Sequence, residues 1–145
     1  MNADQRGLNC RDLTEKIIGV FYEVYNELGH GFLESVYESA MALALSQAGL
    51  NVERQSPLQV RFRGAVVGDF RADMLVERAI LLELKAGRDL DPSHEAQLLN
   101  YLRASEIEIG LLLNFGPKPQ FKRLVFENSR KEIRASLRSS KTSLP

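Results

Sequence analysis

Six charged residues lie between Phe70 and Lys85, and three of them, Asp73, Glu83 and Lys85, have the types and spacing to do chemistry. Glu83 and Lys85 alternate with leucines, and in a strand with a period of two residues they lie on one face. Asp73 lies in the extended segment just before them. Burying such charges is costly unless they are paired or used. Two carboxylates and an ammonium at one point are suited to holding a hard divalent cation beside a phosphodiester.

Whether the two carboxylates meet depends on the register of the hairpin that joins their strands. If Val76 pairs with Ile80 across a three-residue loop, Asp73 lies directly opposite Glu83 on one face. A two-residue loop would set Asp73 against Leu82 and split the charges between both faces. We predict the first pairing. The structural alternative is an ion network on a strand face that catalyses nothing.

Two helices are predicted before the strands. Apolar residues recur at helical spacing from Asp12 to Leu28, with Asp12 or Thr14 as the N-cap. The second helix runs from about Leu33 to Ala48, and Glu34 lies in its first turn, where a carboxylate complements the helix dipole. On spacing alone we favour that structural role for Glu34. The predicted inner face of this helix comprises Val36, Tyr37, Ala40, Leu43, Ala44 and Gln47.

The rest of the chain predicts a strand meander, a helix and two more strands. Strand signals run from Leu58 to Phe62, from Val66 to Val76 and from Ala79 to Ala86, which indicates three antiparallel strands. Asp91 and Pro92 then open a third helix as its N-cap and first residue. An apolar interior strand, Ile107 to Phe115, and a last strand, Phe121 to Phe126, follow.

The third helix carries an uncharged polar face. Gln97 and Tyr101 are four residues apart and His94 is three before Gln97, so all three can line one side of the helix. Such a face is unusual for a purely solvated surface.

Composition is that of an ordinary globular chain: 145 residues, 44% hydrophobic, 26% charged and zero net charge. Zero net charge argues against coating nucleic acid by charge alone. Residues 118–145 nevertheless carry a net charge of +6, with eight Lys or Arg against two Glu, so the remainder carries −6. That basic end either follows a phosphate backbone or is a solvated tail, and both readings stay open. We expect one domain, 1–127, and a basic, Ser-rich, partly disordered tail, 128–145.

The remaining composition bears on the compartment. The single cysteine, Cys10, cannot form an internal disulfide, and we interpret it as a surface bystander. We find no signal-peptide pattern and no apolar segment of bilayer-spanning length. A cytoplasmic protein without a membrane partner is expected.

The order of elements, together with Asp73 and then Glu83-Leu84-Lys85, resembles the PD-(D/E)XK nuclease superfamily. Gly31-Phe-Leu-Glu34-Ser-Val-Tyr37 is similar to the signature of the GxxExxY proteins, a small bacterial branch of that superfamily. Gln97-Leu-Leu-Asn-Tyr101 resembles the Gln-x-x-x-Tyr helix of RecB-like nucleases. The resemblance runs from about Asp12 to Phe126, with Ala72 where the motif has its proline. It implies an α/β (α+β) fold with a restriction-endonuclease-like core, in which helices flank a mixed central sheet.

The resemblance also implies roles for individual residues. Asp73 and Glu83 would be metal ligands, and Glu34 would complete the metal site directly or through water. Lys85 would hold the attacking water or stabilise charge on the phosphate. The two polar residues of the third helix, Gln97 and Tyr101, would position water, lysine or nucleic acid, whereas His94 is equally well explained as a helix-start residue.

Mg²⁺ or Mn²⁺ is the expected cofactor. Mg²⁺ keeps several of its waters, so the two carboxylates and one backbone carbonyl, that of Leu84, would suffice. One cysteine and two histidines make no zinc ligand set.

These residues support two hypotheses of different classes. The first is a divalent-metal-dependent nuclease that hydrolyses phosphodiester bonds of DNA. The alternative is a weak or inactive nuclease-fold module that binds nucleic acid or a protein partner. The small size of the chain adds a third idea, a homodimer whose two copies cut two strands.

Overall fold

The computed structural model describes residues 9–131, and the predicted element order is confirmed in them. A five-stranded sheet has the order β1-β2-β3-β4-β5, in which β3 and β4 are parallel and the other neighbours are antiparallel. The fold is therefore a mixed sheet flanked by helices, of the restriction-endonuclease-like kind. The elements of the described residues are α1 (Cys10–Leu28), α2 (Glu34–Gln47), β1 (Val52–Phe62), β2 (Ala65–Val76), β3 (Ile80–Lys85), α3 (Pro92–Ala104), β4 (Ile109–Phe115) and β5 (Pro119–Val125).

Each face of the sheet carries its own apolar core. On one face α1 and α2 pack against the even-numbered residues of β3, such as Leu82 and Leu84. On the other face α3 packs against Leu81 and Leu112. Because side chains alternate between the faces, Glu83 and Lys85 lie on the α3 side. Both cores thus hold β3 in place while its charged residues face the third helix.

The ends and faces of the first two helices differ from their predicted ones. Asn9 caps α1 by accepting a hydrogen bond from the Asp12 N–H, so neither Asp12 nor Thr14 is the cap. The inner face of α2 is formed by Tyr37, Met41 and Leu45. The predicted face is therefore wrong at Val36, Leu43 and Gln47, all of which are exposed, Leu43 by 61%. Alanines all round α2 blur its apolar stripe, which explains the error.

The β1–β2 pair forms a ribbon that projects beyond the sheet. Pairing between these two strands extends from Val52–Val76 to Phe62–Ala65, whereas β3 pairs with β2 only from Met74 to Val76. The outer part of the ribbon therefore has no third strand beside it. Five of its apolar side chains are exposed: Val60, Phe62, Val66, Val67 and Phe70.

The β2–β3 hairpin turns without a glycine. Val76 pairs with Ile80, which confirms the predicted three-residue loop. Glu77 and Arg78 adopt positive φ angles of 54° and 51°, which are unfavourable for residues other than glycine. Glu77 offsets this cost because its side chain and N–H bond both backbone groups of Asn51, the carboxylate accepting at 2.7 Å and the N–H donating at 2.9 Å.

The start of the predicted tail packs against the α3–β4 connection. The Asn128 N–H donates to Glu108 Oε2 at 2.8 Å, and Lys131 Nζ donates to the carbonyls of Ser105 and Ile107, both at 2.9 Å. The rest of that tail, 132–145, lies outside the described residues. Among residues 9–131, no helix is both long enough and apolar enough to cross a bilayer.

Candidate functional site

Asp73 and Glu83 face each other across the β2–β3 hairpin and are joined by two crossed hydrogen bonds. Glu83 Oε2 accepts from the Asp73 N–H at 2.7 Å, and Asp73 Oδ2 accepts from the Leu84 N–H at 2.7 Å. These side-chain bonds follow the last regular pair of the ladder, Met74–Leu82. The two carboxylates that were predicted to meet are therefore brought together, each held by the backbone of the other's strand.

The side chains of β2 switch from one face of the sheet to the other at Asp73. The β1–β2 ladder pairs Arg54 with Met74 and Ser56 with Ala72 but omits the pair between them, Gln55 and Asp73. Gln55 has a φ of 53°, a strained value for this residue. Ala72 consequently packs under α3 whereas Met74 packs under α1 and α2, although both are even-numbered. This interruption of the ladder places Asp73 at the junction of the two faces.

Burial makes this pair of acids hard to ionise. Glu83 is 4% exposed, and burial, with the neighbouring charge of Asp73, raises its pKa to about 8. Burial likewise raises the pKa of Asp73, although the hydrogen bond from Leu84 opposes the increase. A bound cation would offset the cost of ionising these two buried acids, a cost that the charge of Lys85 offsets only in part.

Lys85, Gln97 and Tyr101 form a line beside the acid pair. Lys85 Nζ donates to Gln97 Oε1 at 3.4 Å, and Gln97 Nε2 donates to the Tyr101 hydroxyl at 3.0 Å. Burial, followed by the charge of Glu83, raises the pKa of the Tyr101 hydroxyl. Gln97 and Tyr101, the polar residues predicted on α3, thus contact each other. The line ends at the ammonium of Lys85, which lies on the same face of β3 as Glu83.

Glu34 lies near the pair but does not join it. It is exposed in the first turn of α2, and its charge helps to raise the pKa values of both Asp73 and Glu83. Among residues 9–131 no group of three His, Cys, Asp or Glu side chains is close enough to hold a metal. The described site therefore has two converging carboxylates, with Glu34 at its edge.

Glu38 is a member of this region that we did not predict. It lies one turn after Glu34, and its charge raises the pKa of Asp73 more than that of Glu34 does. Arg54 Nη2 and Gln55 Nε2 donate to its two carboxylate oxygens at 3.0 and 2.8 Å. The spacing of four residues after Glu34 is a signal that could have suggested it.

Tyr37, the last residue of the Gly-x-x-Glu-x-x-Tyr segment, has a structural position. It is fully buried and stacks on Phe115 with ring centroids 4.1 Å apart. Its hydroxyl donates to the Gly29 carbonyl at 2.7 Å and accepts from the Phe32 N–H at 3.2 Å. Tyr37 therefore fixes the loop that delivers Glu34 to the edge of the site.

Asn114 is a second residue that sequence reasoning missed. It is fully buried on β4 and pairs in register with Lys85. Its amide brackets Gly87, accepting from the N–H and donating to the carbonyl, both at 3.0 Å. Asn114 therefore holds the segment that follows the lysine. A lone polar side chain in the apolar strand Ile109–Phe115 was the available signal.

His94 belongs to the end of its helix and not to the line of polar residues. Its Nδ1 accepts from the Asp91 N–H at 3.2 Å and completes a capping box with Asp91. Asp91 and Pro92 take the cap and first positions that the sequence predicts. The helix-start interpretation of His94 is therefore confirmed.

The donor set suits a hard divalent cation. One oxygen of each carboxylate is used in the crossed bonds, and the described residues donate no hydrogen bond to Asp73 Oδ1 or Glu83 Oε1. The N–H and C=O of one strand residue point to the same side, so the Leu84 carbonyl lies on the edge of β3 that faces Asp73. Oxygen donors of this kind are those that Mg²⁺ and Mn²⁺ prefer.

Comparison with known proteins gives a family match and a fold match. A sequence profile described as the PD-(D/E)XK nuclease superfamily matches residues 11–124. No curated protein matches the sequence significantly. The crystal structure of SSO0001 is similar, with a TM-score of 0.52 at 20% identity over 70% of this chain and 55% of that chain. This chain therefore spans about half the length of that protein, and at such low identity the likeness concerns the fold alone.

Proposed function

Because the chain belongs to the PD-(D/E)XK nuclease superfamily, we propose that it hydrolyses phosphodiester bonds of DNA with a divalent cation held by Asp73 and Glu83. The observation that carries this proposal is the pair of crossed hydrogen bonds between the two acids. Nucleases of this superfamily generally use divalent metals. Mg²⁺ and Mn²⁺ both fit the oxygen donors, which include the Leu84 carbonyl, and Glu34 would contribute through water.

The cation would supply charge that the chain itself lacks. When bound, it polarises the phosphoryl oxygen and the attacking water. Binding requires that Glu83 release its proton. Once both carboxylates are ionised, the bound cation would stabilise their negative charges in the buried site. The crossed bonds hold both carboxylates in place before binding, so the two side chains would lose little conformational freedom when a cation binds.

Lys85 provides the positive charge on the α3 side of the site. An ammonium is a compact cation that can orient a water molecule or offset charge developing on the phosphate. Gln97 accepts from Lys85 and donates to Tyr101, so the lysine is directed by the helix rather than left to rotate. In this proposal Gln97 and Tyr101 are positioning residues that act through Lys85 and through the nucleic acid.

The test is cleavage of defined substrates by the purified protein in Mn²⁺, Mg²⁺ or EDTA. Single-stranded, duplex, nicked and branched DNA and RNA are compared, and we expect cation-dependent cutting of DNA. Asp73→Ala and Lys85→Ala should abolish cutting. Two exposed residues of α1, on the other face of the sheet, provide matched controls, Asp12→Ala and Lys16→Ala, which should cut like wild type. If Asp73→Ala cuts as well as wild type, the observed activity is a contaminant and the proposal is wrong.

One observation favours the alternative of a weak or inactive binding module. The described residues provide only two converging carboxylates and no third ligand side chain. Such a module would bind DNA or a protein without a cation and cut nothing, and its affinity would survive Glu83→Ala. The homodimer is a separate proposal, and sedimentation of a monomer at micromolar concentration would reject it.

A further inference from the structure

An apolar cavity of about 300 Å³ adjoins the line of polar residues. It lies between α3 and the projecting β1–β2 ribbon. Gln97 and Tyr101 form part of its wall, so anything that enters it lies beside the candidate site. The full lining is Val60, Phe70, Ser93, Ala96, Gln97, Asn100 and Tyr101.

The aromatic wall of this cavity is built by specific neighbours. Phe70 is 45% exposed, yet its ring lies 5.8 Å from that of Tyr101, centroid to centroid, at an angle of 40°. A Cβ on Gly68 would lie 2.8 Å from the Phe70 ring, so the missing side chain of Gly68 leaves the space that the ring occupies. An exposed ring held in this way offers a flat face to a ligand.

The chemistry of the lining indicates what the ligand is. None of the described residues around the cavity carries a charge, so a phosphate group is not the occupant. Gln97 is already engaged by Lys85 and Tyr101, which leaves Asn100 and Ser93 as the polar groups on the rim. A flat ligand with an aromatic face and a hydrogen-bonding edge fits both features, and nucleobases are such ligands.

We propose that this cavity binds one unpaired base of the DNA strand being cut, stacked on Phe70, so that the preferred substrate is single-stranded. The proposal rests on the proposed nuclease function and specifies its substrate. A base within a duplex cannot enter the cavity without unstacking and unpairing, which disfavours duplex DNA. The base next to the scissile phosphate would enter beside Tyr101 while the phosphate lies at the acid pair.

Binding of a fluorescent single-stranded oligonucleotide to the full chain, measured by anisotropy in Ca²⁺, tests the cavity separately from cleavage. Phe70→Ala should weaken binding by about 5- to 100-fold, as expected for loss of one stacking ring. Phe70→Leu keeps apolar volume without a flat ring, and it should weaken binding nearly as much as Phe70→Ala. The matched control is Phe62→Ala, because Phe62 is 56% exposed on the same ribbon but lies outside the cavity. It should bind like wild type.

A series of oligonucleotides with one abasic position each tests the occupant directly. For the wild type, one position should lower affinity more than the others, and Phe70→Ala should remove that difference. Equal effects of Phe70→Ala and Phe62→Ala, or duplex bound as tightly as single strand, would overturn the cavity proposal. If the protein cuts DNA but no abasic position matters, the nuclease function stands and the base site fails. If it binds single strands through Phe70 but cuts nothing, the base site stands and the nuclease function fails.

Discussion

Glu83→Gln should stabilise the cation-free protein, and should do so more at pH 8 than at pH 5. Glu83 is buried, and its burial and the charge of Asp73 raise its pKa to about 8. Glutamine keeps an oxygen that can accept the Asp73 N–H, so the crossed bond survives while the ionisable group is removed. The variant isolates the cost of ionising a buried acid.

The magnitude follows from the two pKa values of Glu83. Its pKa is 4.5 ordinarily and about 8 in the folded chain. Between these values the folded state binds more protons than the unfolded state, so its stability falls as pH rises through this window and levels off above it. At 1.36 kcal/mol per unit, the window is worth at most about 5 kcal/mol. The raised pKa of Asp73 adds a term of the same sign.

Urea denaturation in EDTA from pH 5 to pH 8 measures this effect. From the titration of Glu83 the wild type should lose up to about 4 kcal/mol across these three pH units, whereas Glu83→Gln should lose clearly less. Glu15→Gln is the matched control, since Glu15 is an exposed carboxylate on α1 and pairs only with Arg11 among the described residues. If the wild type and Glu83→Gln show the same pH dependence, Glu83 titrates normally and the reasoning from its burial is wrong.

Three further variants test the support around the site. Tyr101→Phe removes the hydroxyl that accepts from Gln97 and should lower the single-turnover cleavage rate about tenfold, with a stability loss below about 1.5 kcal/mol; an unchanged rate would remove Tyr101 from the positioning line. Tyr37→Phe leaves Gly29 and Phe32 without their hydroxyl partner and should cost about 1–3 kcal/mol in urea denaturation; a smaller loss would mean that the loop before Glu34 does not need it. Gly116→Ala would place a Cβ 2.4 Å from the Gly87 carbonyl and should cost about 1–3 kcal/mol by thermal unfolding. Gly19→Ala, whose Cβ would meet nothing within 4 Å, is its control and should be neutral or stabilising by up to about 1 kcal/mol.

The core of the site could be predicted because it depends on short-range rules. Alternation in β3 placed Glu83 and Lys85 on one face, and a three-residue loop then required Asp73 to lie opposite Glu83. The pairing of Val76 with Ile80 confirms that condition. The helix spacing of Gln97 and Tyr101 likewise required them to be neighbours. Each of these relations spans few residues and one type of secondary structure.

The parts that could not be predicted depend on long-range packing or on strain. Nothing in the sequence around Gln55 indicates a positive φ, yet that residue interrupts the ladder opposite Asp73. The role of Glu38 depends on where α2 meets β1, a contact between distant segments. In the sequence Phe70 is an ordinary strand residue. Its exposure depends on the extension of the β1–β2 ribbon past β3, which the sequence does not indicate.

The most direct test of the central claim is calorimetric titration with Mn²⁺ at pH 7, repeated in two buffers that differ in protonation enthalpy. Because the raised pKa of Glu83 keeps it mostly protonated at this pH, binding of one ion per chain should release about one proton. Asp73→Ala should abolish the heat. Absence of binding, or binding that persists in Asp73→Ala, would contradict the assignment of this acid pair as the cation site.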